Sequence, residues 1–254
     1  MRKSLSTVLV LVLVVGCVGT APGANLDMGS LEEFADQFPF AILYGVEKDH
    51  DLKFIFADRQ AHVHVFKVED GKLRLDWENT NLGSRVTSIF ITDLYGDGAD
   101  KLVISTAGGR IMIYQMNTFD LDWENLQDPF DQIEYMISEN LDDDPQQELI
   151  FIADRILYIY DSLKKTIDWQ SQDEFTAKQI ITGNVDDDAQ LEIIMNTGVI
   201  LDSRFYNVEF RSKEPFGDRI FLLDINNDGV PEIAGESLDF NLRFFDVYAE
   251  REIW

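Results

Sequence analysis

Asp224-Ile225-Asn226-Asn227-Asp228-Gly229-Val230-Pro231-Glu232, running into the apolar pair Ile233-Ala234, decides how the rest of the chain is read. Oxygen-bearing side chains stand at its first, third, fifth and ninth positions, with a glycine at the sixth. Hard cations such as calcium take six to eight oxygen ligands, and a tight turn can aim every second side chain at one ion. A helix–loop–helix calcium hand needs its bidentate acid at the twelfth position, which here is Gly235. The acid comes at the ninth position instead, and a short strand-like run follows it.

Weaker copies lie upstream. They are Asp93-Leu94-Tyr95-Gly96-Asp97-Gly98, Asn140-Leu141-Asp142-Asp143-Asp144 and Asn184-Val185-Asp186-Asp187-Asp188, with Gly45-Val46-Glu47-Lys48-Asp49 as an eroded fifth. A second marker keeps step with them. Trp77, Trp123 and Trp169 follow one another at about 46 residues, each preceded by an aspartate, and Phe210 and Trp254 continue the series. Self-similarity at such a period marks a repeat architecture. The units fall at about 39–84, 85–130, 131–175, 176–216 and 217–254.

Each unit reads as four short strands. In the third, Ile133–Ser138 leads into the acidic turn, and Glu148–Ala153, Ile156–Tyr160 and Thr166–Trp169 follow it. Apolar runs of this length, rich in Ile, Val, Phe and Tyr and bounded by Gly, Asp and Asn, are strand signals. Tight turns at Ala107–Arg110 and Asp154-Arg155 join second to third strands. In the outermost strand, strict alternation would put Leu73, Leu75 and Trp77 on one face. Four-stranded units at this period give an all-β, five-bladed β-propeller of antiparallel blades, with the recurring tryptophan packed between blades.

Bulk properties bound the function. The chain has 254 residues, 45% of them hydrophobic and 12% aromatic, enough for a packed core. Its formal net charge is -26, from 47 acids against 21 bases. Such a surface repels nucleic acid and anionic lipid and attracts cations or basic partners, so no nucleic-acid role is expected. Arg2 and Lys3 precede an apolar run from Leu5 to Val15, a secretory signal too short for a stable membrane span. The run ends in Val14-Val15-Gly16-Cys17, which resembles the bacterial lipobox. Cys17 is the single cysteine, so it has no intramolecular disulfide partner. The reading is a signal peptide over 1–16, lipidation of Cys17, a tether over 17–38 and the propeller over 39–254. The protein is then exported and held at the cell envelope, periplasmic or on the surface, touching membrane only through its lipid.

The repeats resemble the FG-GAP/VCBS class, the blades of integrin-α-like propellers. That class carries Asp-x-Asn-x-Asp-Gly-x-x-Asp/Glu and then apolar residues in the hairpin between first and second strands. Asp224, Asn226, Asp228 and Glu232 match it fully. Asn184, Asp186, Asp188 and Glu192 match with Asn first and Ala189 for the glycine. Asn140, Asp142, Asp144 and Glu148 match likewise, with Pro145 for the glycine. In the Asp93 copy Asp97 is kept, but Tyr95 holds the third position and Lys101 the ninth. The Gly45 copy has Lys53 at the ninth and reads as empty. The resemblance implies bound calcium that fastens hairpins, and it leaves function open, since such propellers serve adhesion, ligand binding and enzyme scaffolding alike.

From the residues themselves, Asp and Asn in these turns either cap their own backbone amides or share a cation. Several carboxylates converging without one would repel, raising at least one pKa. In the Asp93 turn the Lys101 ammonium can take the cation's place. His62 and His64 alternate onto one strand face; with no cysteine and no acid of convincing spacing beside them, they read as ordinary strand residues. Arg59, Arg110 and Arg155 recur near the second-to-third-strand turns, where Asp58 and Asp154 are the neighbouring acids. No nucleophile elbow, phosphate-cradling glycine loop or helical zinc motif is present. The expectation is a non-catalytic, calcium-binding module for a protein partner. Its alternatives are a carbohydrate-binding or carbohydrate-cleaving propeller, which would use a carboxylate pair, and a structural part of an envelope assembly complex.

Overall fold

The structure, a computed structural model, describes residues 40–44, 53–69, 72–126, 129–142, 144–186, 188–236, 241–249 and 251–253. The signal sequence, Cys17, the tether, the Gly45 turn and Trp254 lie outside these residues. Among the described residues twenty strands form five four-stranded antiparallel sheets, each built from strands consecutive in the chain. The first sheet holds β1 (Phe40–Tyr44), β2 (Lys53–Ala57), β3 (Val63–Glu69) and β4 (Lys72–Glu78). The second holds β5 (Val86–Thr92), β6 (Lys101–Thr106), β7 (Ile111–Gln115) and β8 (Leu121–Glu124). The third holds β9 (Ile133–Glu139), β10 (Glu148–Ala153), β11 (Ile156–Asp161) and β12 (Thr166–Glu174). The fourth holds β13 (Ile180–Gly183), β14 (Glu192–Met195), β15 (Val199–Asp202) and β16 (Val208–Arg211). The fifth holds β17 (Arg219–Leu223), β18 (Glu232–Glu236), β19 (Leu242–Asp246) and β20 (Arg251–Glu252). Among the described residues no helix is long and apolar enough to cross a membrane.

Two compact units emerge. One takes in the first two sheets, and the other the third to fifth sheets together with the Thr92–Lys101 turn. Within the first unit, Ile55, Val63 and Val65 pack with Leu102, Ile104 and Met112 in one buried cluster. Within the second, Ile150, Ile152, Leu157 and Ile159 pack with Ile193, Met195, Val199 and Leu201. The second strand of a sheet is buried on both faces, as β6 and β10 are throughout, which is why Leu102–Ile104 and Leu149–Ala153 are unbroken apolar runs rather than alternating ones.

Trp77 and Trp169 pack as expected between neighbouring sheets. Trp77 stacks on Phe119 of the β7–β8 loop, with ring centroids 5.2 Å apart, and Trp169 lies 4.9 Å from Tyr206 of the β15–β16 loop. The predicted parity of the outer strand does not hold. Val65 pairs with Trp77 while the next residue, Phe66, pairs with Leu75, so Asp76 is an extra residue in a β-bulge. The bulge turns Leu75 outward, 52% exposed, and leaves Trp77 on the core side. The same step recurs in the next three sheets, where Asp122, Asp168 and Glu209 are the bulged residues. The acid before each Trp or Phe is therefore a geometric position of the repeat.

Candidate metal centre

The acidic turns connect first to second strands, and their first job is to satisfy their own backbone. In the Asn140 turn the amide of Leu141 donates to Glu148 Oε2 at 2.9 Å, and the amide of Asp144 donates to Asp142 Oδ1 at 2.8 Å. Asn140 Nδ2 donates to the Asp144 carbonyl, and the amide and side chain of Gln146 donate to the Asp144 carboxylate. The Asn184 turn repeats the plan. Val185 N donates to Glu192 Oε2 at 2.7 Å, Asp188 N to Asp186 Oδ1 at 2.9 Å, and Asn184 Nδ2 to the Asp188 carbonyl.

These bonds leave oxygens over. Asp142, Asp144 and Glu148 bring one carboxylate oxygen each to within 4.8 Å of one another, and Asp186, Glu192 and Glu209 do the same. Glu148 and Glu192 open their second strands and are 4% and 1% exposed. Burial, reinforced by the charges of Asp142 and Asp144, pushes the Glu148 carboxyl up to about 7. Burial and the charges of Asp186, Asp188 and Glu209 do the same to Glu192, also to about 7. Glu192 Oε1 and Asn140 Oδ1 are buried without a hydrogen-bond partner. A dication of flexible coordination fits this donor set: it would take the orphaned oxygens and neutralise the repulsion. Asn140, Asp142, Asp144 and Glu148 would hold it in one turn, and Asn184, Asp186, Asp188 and Glu192, joined by Glu209, in the other.

The turn with the fullest sequence match is hydrogen-bonded more completely. Asp224 accepts from the amides of Asp228 and Gly229, and Glu232 Oε2 accepts from Ile225 N at 2.8 Å. Asn226 Nδ2 sits between Asp228 Oδ2, at 2.8 Å, and Glu232 Oε1, at 2.7 Å. The two amide hydrogens there bridge the carboxylates where an ion would otherwise sit, and half a turn of the carboxamide would present its oxygen instead. In the Asp93 turn, Asp93 accepts from the amides of Asp97 and Gly98. The Lys101 side chain, 2% exposed, stands inside that turn. Its ammonium donates to the Ala99 carbonyl at 3.0 Å, lies 3.7 Å from Asp97 Oδ1 and covers the Tyr95 ring.

Glu209 was not anticipated as part of a site; the signal for it was its place before Phe210, matching the aspartates before the tryptophans. In the first sheet the equivalent acid, Asp76, lies 3.3 Å from Lys53 Nζ, the residue at the ninth turn position there. The bulge thus brings an acid close to the residue at the ninth turn position in both sheets, Asp76 to Lys53 and Glu209 to Glu192. Beside Asp186, Asp188, Glu192 and Glu209 opens a cavity of about 450 Å³, walled by Ile200, Phe210, Val247 and the exposed Tyr248. A second cavity, of about 600 Å³, lies at the other end of β14 around Asn196 and Phe216. Four of its charges are paired, Lys178 with Asp218 and Arg243 with Glu214, and Glu134 accepts from the Ala177 amide. Two of the arginines singled out in sequence, Arg110 and Arg155, pair with acids other than the neighbouring ones. Arg110 binds Glu124 and the Leu82 carbonyl, and Arg155 binds Glu174.

No family model and no curated protein matches the sequence. Solved structures do match in fold. BBS1N, crystallised in complex with ARL6DN, superposes with a TM-score of 0.58 at 13% identity, over 85% of this chain and 67% of that one. BamB from Moraxella catarrhalis superposes with a TM-score of 0.52 at 14% identity, over 84% of this chain and 64% of that one. The chain thus spans about two thirds of each. Both are β-propeller proteins, and five four-stranded antiparallel sheets make this chain an all-β protein of the same fold class, with five blades.

Proposed function

We propose that this chain is an exported propeller of the FG-GAP/VCBS kind that binds calcium in its acidic turns and presents a surface to a protein partner without catalysing a reaction. The observation that carries the calcium reading is the pair of buried glutamates, Glu148 and Glu192. Each faces converging carboxylates and is pushed up to about 7 by burial and by those charges. The Asn140 and Asn184 turns hold ions first, and the Asp224 turn joins them once the Asn226 amide turns over. In the Asp93 turn Lys101 replaces the ion, so Asp93 and Asp97 keep their oxygens on backbone amides. What supports a protein partner is the likeness in fold to BBS1N, crystallised with ARL6DN, together with a surface of formal charge -26 suited to a basic face. Export and lipidation at Cys17 follow from the leader sequence, and mass spectrometry of the membrane fraction would detect the acylated N-terminus.

Elemental analysis of protein purified in calcium, with melting in calcium and in chelator, tests the metal. Two to three calcium ions per chain and a higher melting temperature in calcium are expected. No bound metal and identical melting curves would leave only self-capped turns.

The cavity at the Asn184 turn favours one other reading. Exposed Tyr248 beside Glu192 and Glu209 is the juxtaposition a carbohydrate site would use, an aromatic platform next to acids. A glycan array separates the two: a binder lost on Tyr248→Ala would move the assignment to carbohydrate recognition, and turnover of that glycan would move it to an enzyme.

A further inference from the structure

The two histidines that the sequence left as ordinary strand residues are joined by acids that spacing alone does not show. Asp58 follows β2, His62 precedes β3 and His64 lies on β3, so a short hairpin brings all three to one end of the first sheet. The hairpin is closed by its own backbone. Asp58 N donates to the His62 carbonyl at 2.9 Å, and Ala61 takes a left-handed φ of 64° to complete the turn. His62 N donates to Asp58 Oδ1 at 2.9 Å, which fixes the carboxylate and aims its other oxygen at both rings. Asp58 Oδ2 lies 3.4 Å from His62 Nδ1 and 3.1 Å from His64 Nε2. On the other side of the His64 ring, Nδ1 lies 3.1 Å from Glu78 Oε2, the pair standing opposite one another across β3 and β4. The ring is further held by stacking on Phe56 at 4.9 Å.

His64 therefore faces a carboxylate at each nitrogen. A neutral imidazole has one N–H and one lone pair, so it can donate to only one of them. If Nδ1–H donates to Glu78, the lone pair on Nε2 confronts Asp58 Oδ2, and two acceptors stand 3.1 Å apart with nothing to share. Either a second proton or a cation resolves this. The position of His62 decides for the cation, because its Nδ1 adds a third donor atom to the same spot. One ligand atom from each of Asp58, His62 and His64 lies within 4.8 Å of the others. A tetrahedral metal with bonds of about 2.0–2.1 Å has ligand atoms about 3.4 Å apart along each edge, close to the 3.1 and 3.4 Å edges present here. Two imidazole nitrogens and a carboxylate oxygen suit zinc and its neighbours rather than calcium, which takes oxygen. Glu78 stands where a metal-bound histidine needs its second-shell carboxylate, fixing the tautomer and the ring. The three side chains are 16–30% exposed, which leaves an entry path and a fourth position for water.

We propose that Asp58, His62 and His64 form a site for a zinc-class dication, with Glu78 as the positioning residue that holds His64 in its ligating tautomer. The site shares no residue with the acidic turns and sits at the opposite end of β2 from the Gly45 turn, so it is separate from the calcium reading and does not depend on it.

The test uses the full chain, stripped with chelator and then titrated with Zn2+ in excess calcium at pH 7.5. Calorimetry should give one zinc per chain, and Co2+ in its place should show the intense visible bands of a tetrahedral site. His62→Gln and His64→Gln should abolish this binding. Glu78→Gln should weaken it about 10–100-fold while leaving calcium-dependent melting unchanged, a split that a merely structural loss would not produce. His62→Gln is the informative variant if His64→Gln fails to fold, since His62 makes no aromatic stack on Phe56. Zinc heat that is unchanged in His62→Gln, or that calcium competes away, would overturn the site. So would a wild type that binds no zinc and whose His64 simply stays doubly protonated at neutral pH by NMR.

Discussion

Replacing Glu192 by glutamine keeps the size of the side chain and removes its charge. In the protein the Glu192 carboxyl is raised from 4.5 to about 7 by burial and by Asp186, Asp188 and Glu209. Each pKa unit is about 1.4 kcal/mol, so at pH 8 without metal the ionised form weighs against folding by about 3 kcal/mol. The sign follows from proton binding. Between about 4.5 and 7 the folded state holds this proton and the unfolded state releases it, so stability is full below the lower value and falls as pH rises through the upper one. Glu192→Gln has no such loss, because an amide does not ionise. In chelator the variant should exceed wild type by less than about 1 kcal/mol at pH 5 and by up to about 3 kcal/mol at pH 8, or about 6–12 °C at the higher pH for a domain of this size. In excess calcium the order should reverse, since glutamine supplies a weaker ligand than carboxylate. Urea and thermal unfolding followed by tryptophan fluorescence, at both pH values and in both buffers, give the four comparisons. A variant less stable than wild type in chelator at pH 8 would refute the reasoning, showing that Glu192 is held by bonds its charge improves.

Four further outcomes are expected. Calcium at 100 times its dissociation constant should stabilise the chain by about 2.7 kcal/mol per site, read as a rise in melting temperature that chelator reverses. Lys101→Glu puts an acid at the ninth position of the Asp93 turn, and calorimetry should then count one more calcium per chain than wild type. Gly235→Ala would set a Cβ 1.9 Å from the Phe216 carbonyl oxygen, a clash with backbone that should cost about 1–3 kcal/mol in urea unfolding. Trp169→Ala removes the ring packed on Tyr206 and should lose about 3 kcal/mol, read from the fluorescence of the three remaining tryptophans.

The repeat was legible because two independent markers, the acidic turn and the tryptophan, run in step, and because second strands buried on both faces are unbroken apolar runs. The third sheet shows how closely this works: β9, β10 and β11 lie within a residue of the runs that announced them. What stayed hidden depends on register. The bulge at Asp76 moves Leu75 to the other face from Trp77, and no periodicity in Leu73–Glu78 announces it. Glu209 reaches the Asn184 turn only because of the matching bulge in β16. Asp58 and Glu78 join the histidines through a hairpin and a cross-strand pair, contacts that need the strand partners before they can be seen. Gly235 excludes a helix–loop–helix calcium hand in sequence, yet the physical demand on it is the close approach of the Phe216 backbone. The ranking of the turns also changed. The best sequence match, at Asp224, satisfies itself through Asn226, while the two with asparagine at the first position keep unpartnered oxygens.

The bulged acids have a consequence for how such a chain survives at high concentration. β4, β8, β12 and β16 are the last strands of their sheets, the position at which another strand could in principle be added. A flat edge would template growth from one molecule to the next. Here the extra residue breaks the spacing midway along each edge, and in three of the four the side chain at that break is an exposed carboxylate, Asp122, Asp168 or Glu209. An incoming strand meets a register it cannot follow and a negative charge beside it. The fifth sheet reaches the same end by another route, because its last described strand, β20, is only two residues long. Each described sheet thus carries a feature at its edge that works against pairing with a strand from another molecule.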